Sequence, residues 1–194
     1  MTKTRVRRRL DPELRRSELL EAAERVLRRK GLQCRIEDVV EEARAAKGTF
    51  YVYFPTFEEM LLALRERIFE RFDSRFPWPA GKGADLDWWL LVEERIAGFI
   101  DFVTELEGLH DVIFHGPVAG RFPIARRSDA ASRIQALLRA GKKAGAFDCA
   151  DPDLTARLIF AAIHSAADAV VEGKDRARVL RVASKLIKNA LAPR

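Results

Sequence analysis

Apolar residues along this chain recur at helical spacing, and prolines and glycines fall between the periodic stretches. Asp11-Pro12 reads as an N-cap followed by proline at the first helical position. Leu19, Ala23, Val26 and Leu27 then share a face, and Gly31 closes the helix behind a basic last turn of Arg28, Arg29 and Lys30. Two short helices follow. One spans about 36–44, with Val39 and Val40 inward; the other spans about 47–54, with Phe50 and Phe54 at i, i+4. Thr56-Phe57-Glu58-Glu59 is a capping box opening a helix through Met60, Leu61, Leu64 and Ile68 toward Phe76. After a Pro/Gly-rich loop, Asp85 or Asp87 caps a long helix whose inward positions are Trp89, Val92, Ile96, Phe99, Val103 and Leu106. Gly116, Pro117 and Gly120 interrupt 108–123, which holds one short helix. Helices over about 124–143, 151–172 and 175–191 complete the series. The pattern predicts an all-α chain of nine helices, three in an N-terminal unit (1–55) and six in a second unit (56–194), with no strand-like alternation and no internal repeat.

Charge sharpens this picture. The net charge is +6, and residues 1–9 carry five basic side chains (Lys3, Arg5, Arg7, Arg8, Arg9) and no acid. Residues 10–57 balance to zero, and the remainder is nearly neutral. A basic arm on a neutral body suits a protein that grips phosphate locally, and argues against a uniform nucleic-acid coat. The longest apolar run, Leu158–Ile163, is six residues, against the roughly 20 of a membrane span, so no membrane partner is expected. Leu10–Arg16 is not a secretory h-region, and Cys34 and Cys149 form neither a metal motif nor a disulfide framework, so a reduced, cytoplasmic protein is the expectation.

A helix followed by two short helices joined by a turn, behind a basic arm, is an arrangement that reads DNA. The second short helix can lie in the major groove while the arm (Arg5, Arg7, Arg8, Arg9) follows the backbone or enters the minor groove. The chain has twelve phenylalanines and two tyrosines, and both tyrosines, Tyr51 and Tyr53, fall in this helix. Hydroxyls placed away from Phe50 and Phe54 suit donation to phosphate oxygens, and Thr49 and Lys47 add a third hydroxyl and a charge. Gly48 allows close backbone approach. A solvated helix face with two half-buried tyrosines is the alternative.

Residues 19–61, and above all Lys47-Gly48-Thr49-Phe50-Tyr51-Val52-Tyr53-Phe54, resemble the DNA-binding region of TetR-family (tetracycline-repressor-like) transcriptional regulators. The resemblance implies an N-terminal three-helix helix-turn-helix DNA-binding domain followed by a six-helix ligand-binding and dimerisation domain, assembled as a homodimer on operator DNA. It places Lys47 and Gly48 at the groove floor or edge, Thr49, Tyr51 and Tyr53 on phosphates, and Val52 against a thymine methyl. Five positions depart from the family pattern. Arg35 and Ala46 replace helix-capping hydroxyls, Val40 a small alanine, Arg44 a turn glycine and Phe57 a phosphate-contacting lysine. A less stable head that leans more on its arm is expected.

The second unit has more apolar helix than a DNA reader needs, and pockets between bundle helices are common. Its candidate effector-binding residues are Trp89, Ile96, Phe99, Val103, Phe114, His115, Phe122 and Leu137, which suit an apolar or amphipathic small molecule; plain core is the alternative. His110, His115 and His164 are expected to be ordinary core or surface histidines, with no metal site and no cofactor. No nucleophile motif, phosphate loop or carboxylate pair marks an enzyme. Leu158–Val171 is apolar nearly all round and rich in small residues, and the last helix has a broad apolar face, so Ile163, Ala167, Val170, Val182 and Leu186 are candidate dimer contacts. The reading is a homodimeric repressor released by an effector that shifts the helix following Thr56. A ligand-independent or nucleoid-associated DNA-binding protein, and a helical interaction protein that has lost DNA binding, remain alternatives.

Overall fold

The computed structural model describes residues 11–77, 86–116 and 130–192; Arg5, Arg7, Arg8, Arg9 and Phe122 lie outside the described residues. Among the described residues eight α-helices form: α1 Pro12–Lys30, α2 Ile36–Glu42, α3 Lys47–Tyr53, α4 Phe57–Arg75, α5 Trp88–Glu105, α6 Ala130–Lys143, α7 Pro152–Val171 and α8 Arg176–Leu191. A 3₁₀ turn, Gly31–Gln33, follows α1, and a π-helical turn, Asp111–His115, follows α5. Among the described residues there is no strand.

The helix starts follow the capping chemistry. Side chains of Asp11, Thr56, Asp87 and Asp175 accept backbone N–H bonds from Glu13, Glu59, Leu90 and Arg178 at 2.8–3.1 Å. Asp87, the second of the two cap candidates, sets the register of α5. Trp88 is therefore the buried tryptophan, while Trp89 stands half-buried with its ring 5.0 Å from that of Phe147. Arg35 provides no side-chain cap for α2; Asp38 accepts the Arg35 N–H instead, at 3.0 Å. Ala46 leaves α3 without a side-chain cap. Arg44 adopts φ +49° in the turn between these helices, which costs about 1 kcal/mol relative to glycine.

One hydrophobic cluster runs from Leu19 in α1 to Leu191 in α8, so the boundary near residue 55 is not a break in the core. In the head, Phe50 and Phe54 are buried with ring centroids 5.6 Å apart. α4 lies along α1 and is tied to it by ion pairs. Arg67 donates to Glu21 at 3.0 Å, and Arg71 makes a two-point pair with Glu24 at 2.9 Å. Arg28 reaches from α1 to the Leu106 carbonyl at the end of α5, at 3.0 Å. Gly108 is needed there for space, because a Cβ would sit 2.7 Å from the Arg28 carbonyl oxygen; the left-handed conformation falls on Glu107, φ +51°.

α7 packs against α5, α6 and α8. Although its apolar runs are short, its alanine-rich composition makes it long and apolar enough to cross a membrane by length and composition alone. Its inward face is Ala156, Ile159, Ile163 and Ala167, whereas Leu154 and Leu158 are exposed.

Candidate functional site

The head presents α3 outward. Burial of Phe50 and Phe54 turns Lys47, Gly48, Tyr51 and Val52 to solvent, with Thr49 and Tyr53 half-buried at the rim. Gly48 has an ordinary φ, and a Cβ there would meet nothing within 4 Å, so neither conformation nor internal packing requires glycine. Lys47 Nζ lies 2.5 Å from Glu37 Oε1, joining α3 to α2 across exposed surface. That hydrogen bond lowers the Glu37 pKa and raises that of Lys47. Cys34, between α1 and α2 in the head, is buried, which pushes its thiol up to about 11 and leaves it a poor nucleophile.

A cavity of about 460 Å³ opens between α4, α5, α6 and α7. Phe72, Phe76, Phe99, Leu137, Phe160 and Ile163 supply its apolar walls. Asp73, Arg95 and Arg133 supply its charge, with Arg133 paired to Asp73. Burial raises the Asp73 pKa despite the nearby Arg133 and Arg95 charges, and burial likewise lowers that of Arg95. Arg133 Nη1 is buried with no hydrogen-bond partner among the described residues.

Of the sequence-derived effector residues, Phe99 and Leu137 line this cavity. Ile96 and Val103 are buried core residues outside the lining, and Trp89 packs on Phe147 instead. His115 belongs to a neighbouring polar cluster, and Phe114 packs on it with its ring centroid 4.6 Å from that of His164. Sequence reasoning missed the α4 wall and the three charged residues. Arg95 had a legible signal: it sits between Val92 and Phe99 on the apolar stripe of α5, where a solvated charge does not belong.

That cluster is His110, His115, His164 and Asp168, brought together although the sequence separates them. Their Nε2 atoms lie 2.8, 3.3 and 3.4 Å from Asp168 Oδ1. His110 is buried, and its Nδ1 faces Asp111 Oδ1 at 3.1 Å. His164 Nε2 makes no hydrogen bond among the described residues. Burial lowers the His164 pKa against the opposing charge of Asp168. The three histidines, expected to be ordinary core or surface residues, converge on one carboxylate: His110 and His115, on either end of the turn after α5, both face Asp168 of α7.

The dimer candidates divide. Ile163 and Ala167 are buried in the subunit's own core, with Ile163 in the cavity wall, so neither is available to a partner. The inward face of α7 is covered by α5, α6 and α8, a covering that helix periodicity alone does not reveal. Val170 is half-buried, while Val182 and Leu186 of α8 are exposed, as are Leu154 and Leu158 of α7.

Comparison with known proteins agrees with this geometry. Residues 19–64 match the model of bacterial regulatory proteins of the tetR family. The HTH-type transcriptional regulator YfiR of Bacillus subtilis (strain 168) is 43% identical over 99 residues, which are 50% of this chain and 44% of that one, so the match spans less than half of that relative's length. Among solved structures, a TetR-family transcriptional regulator from Pectobacterium atrosepticum is 23% identical with a TM-score of 0.70, over 96% of this chain and 99% of that one. RolR in complex with resorcinol is 23% identical with a TM-score of 0.65, over 94% and 95% of the two chains. FadR from Bacillus subtilis in complex with stearoyl-CoA is 17% identical with a TM-score of 0.67, over 90% and 98%. These structures share the fold, and residues 19–64, from α1 into α4, are similar to the bacterial regulatory proteins of the tetR family.

Proposed function

We propose that the protein is a homodimeric, sequence-specific DNA-binding transcriptional repressor released by a small amphipathic effector. The outward face of α3 carries the proposal. Lys47, Gly48, Tyr51 and Val52 form an exposed surface whose glycine serves no internal purpose, so close approach by another molecule accounts for it. Thr49 and Tyr53 at the rim, with Arg5, Arg7, Arg8 and Arg9 of the arm, are proposed phosphate contacts. Phosphate can take Lys47 from Glu37, because both groups are exposed and their attraction is screened.

The effector is proposed to occupy the cavity between α4 and α7. A site of this size suits a small molecule, and its lining asks for an apolar or aromatic body with an acidic or hydroxyl end toward Arg95 and Arg133. The free Nη1 of Arg133 supports that polarity. RolR with resorcinol and FadR with stearoyl-CoA bind molecules that combine an apolar portion with polar groups. α4 supplies the coupling, because it carries Phe72, Asp73 and Phe76 at the cavity and Arg67 and Arg71 on α1. An effector that favours a shifted α4 by about 1–3 kcal/mol would move the head by the same helix.

Selection of bound fragments from a random DNA pool by the full-length protein tests the proposal. Enrichment of a two-fold symmetric sequence, lost in Tyr51→Ala and Gly48→Gln, is expected. Absence of any enriched sequence would overturn it in favour of an interaction protein without DNA binding.

A further inference from the structure

Two imidazoles from the segment after α5, His110 and His115, and a His–Asp pair one turn apart on α7, His164 and Asp168, place four ligand atoms within 4.8 Å of one another. We propose that this cluster is a binding site for a divalent transition metal of the zinc class, held by His110, His115, His164 and the Asp168 carboxylate.

The distances suit such an ion. A tetrahedron with bonds of about 2.0–2.1 Å has edges of about 3.3–3.4 Å. The Asp168 Oδ1 separations from His115 and His164, 3.3 and 3.4 Å, already have that length. The third, to His110 at 2.8 Å, opens to it by a small side-chain rotation.

The hydrogen-bond inventory points the same way. A neutral imidazole has one N–H, yet His110 faces a carboxylate on each side: Asp168 at Nε2 and Asp111 at Nδ1. With a metal on Nε2, Nδ1–H is free to donate to Asp111, which is the carboxylate–histidine–metal arrangement that orients ligating histidines. An imidazolium at His110 would also satisfy both acids, but it gives no role to two further imidazoles gathered on the same oxygen. The buried His164 Nε2, without a hydrogen bond among the described residues, gains a partner when a cation is present.

Three nitrogens and one oxygen without thiolate select zinc, cobalt or nickel over magnesium and calcium, which prefer oxygen, and over cuprous copper, which prefers sulfur. Four protein ligands fill a tetrahedron, so the site is structural or regulatory and not catalytic. An occupied site would clamp the π-helical turn to α7. The same segment supports the head, since Leu106 accepts from Arg28 and Gly116 packs beside Leu32. Only this last consequence rests on the DNA-binding proposal; the metal site stands apart from it.

The test uses full-length, tag-free protein stripped with chelator, titrated with Co²⁺ alone and then with Zn²⁺. One Co²⁺ per chain, with the intense visible absorption of a tetrahedral site displaced by Zn²⁺, is expected. His115→Ala, at the exposed rim where the fold is not at stake, and His164→Gln should each lose about tenfold or more in affinity. Asp111→Asn should lose about 10–100-fold while keeping the stoichiometry and the tetrahedral spectrum, the signature of an orienting carboxylate. No saturable binding, an octahedral spectrum, or unchanged affinity in the His115→Ala/His164→Gln double variant would overturn the assignment. Because the readout is metal alone, failure here is distinguishable from failure to bind DNA.

Discussion

Truncating Leu158 to alanine tests whether the exposed apolar face of α7 and α8 is the dimer surface. In the single subunit Leu158, Val182 and Leu186 are 63%, 64% and 57% exposed. Full burial of such a side chain is worth about 1.5–3 kcal/mol, so covering the exposed part of Leu158 contributes about 1–2 kcal/mol. In an isologous dimer each substitution occurs twice, for a total of about 2–4 kcal/mol, or a dimer dissociation constant raised about 30- to 900-fold. Sedimentation equilibrium over a range of protein concentrations reads this directly. Thermal unfolding of the monomer should be unchanged, because Leu158 makes little contact inside its own subunit. Ile163→Ala is the contrasting control: it opens space in the subunit core and should cost about 2–5 kcal/mol of folding stability. A Leu158→Ala dimer within about threefold of the wild-type constant would refute the assignment of this face.

Phe50→Ala removes a fully buried ring from the head and should cost about 3–5 kcal/mol there, seen as early loss of hydrogen-exchange protection in α1–α3 with α5–α8 still protected. Gly98→Ala places a Cβ 2.5 Å from the tip of the Phe76 ring and should push that ring into the cavity; binding of anilinonaphthalenesulfonate, an aromatic anion, should weaken by about tenfold. Burial pushes the Glu24 carboxyl up, but Arg71 and Arg28 outweigh it and hold it below its ordinary value. Its contribution to stability is thus fully present above the unfolded value of about 4.3 and is lost as pH falls through the lower folded value. Acid unfolding should begin at higher pH in Arg71→Gln than in the wild type. Replacing Arg5, Arg7, Arg8 and Arg9 with alanine should lower the salt slope of DNA binding by about 3–4 per arm, as expected from counterion release.

Much of the fold was legible because its signals are local. Asp11, Thr56 and Asp175 cap their helices where the pattern of hydroxyl and carboxylate residues places the starts, and Phe50 and Phe54 at i, i+4 turn α3 as the periodicity predicts. Arg44 takes the left-handed turn conformation that its position demands despite its Cβ. The Asp85/Asp87 ambiguity shows the limit: one choice of cap decides which of two adjacent tryptophans is buried, and apolar content cannot distinguish them.

What the sequence alone determined is everything carried by neighbours within one or two helical turns: helix number and polarity, the caps, and the outward residues of α3. Tertiary structure decided what depends on how helices meet. It covered Ile163 and Ala167 with α5, α6 and α8, lined the cavity with Phe72 and Phe76 from α4, and paired Asp73 with Arg133. It also brought His110 to 2.8 Å from Asp168, fifty-eight residues away. Periodicity states that a residue faces inward; the crossing of helices distant in sequence determines what it faces, and that is where the chemistry of this chain resides.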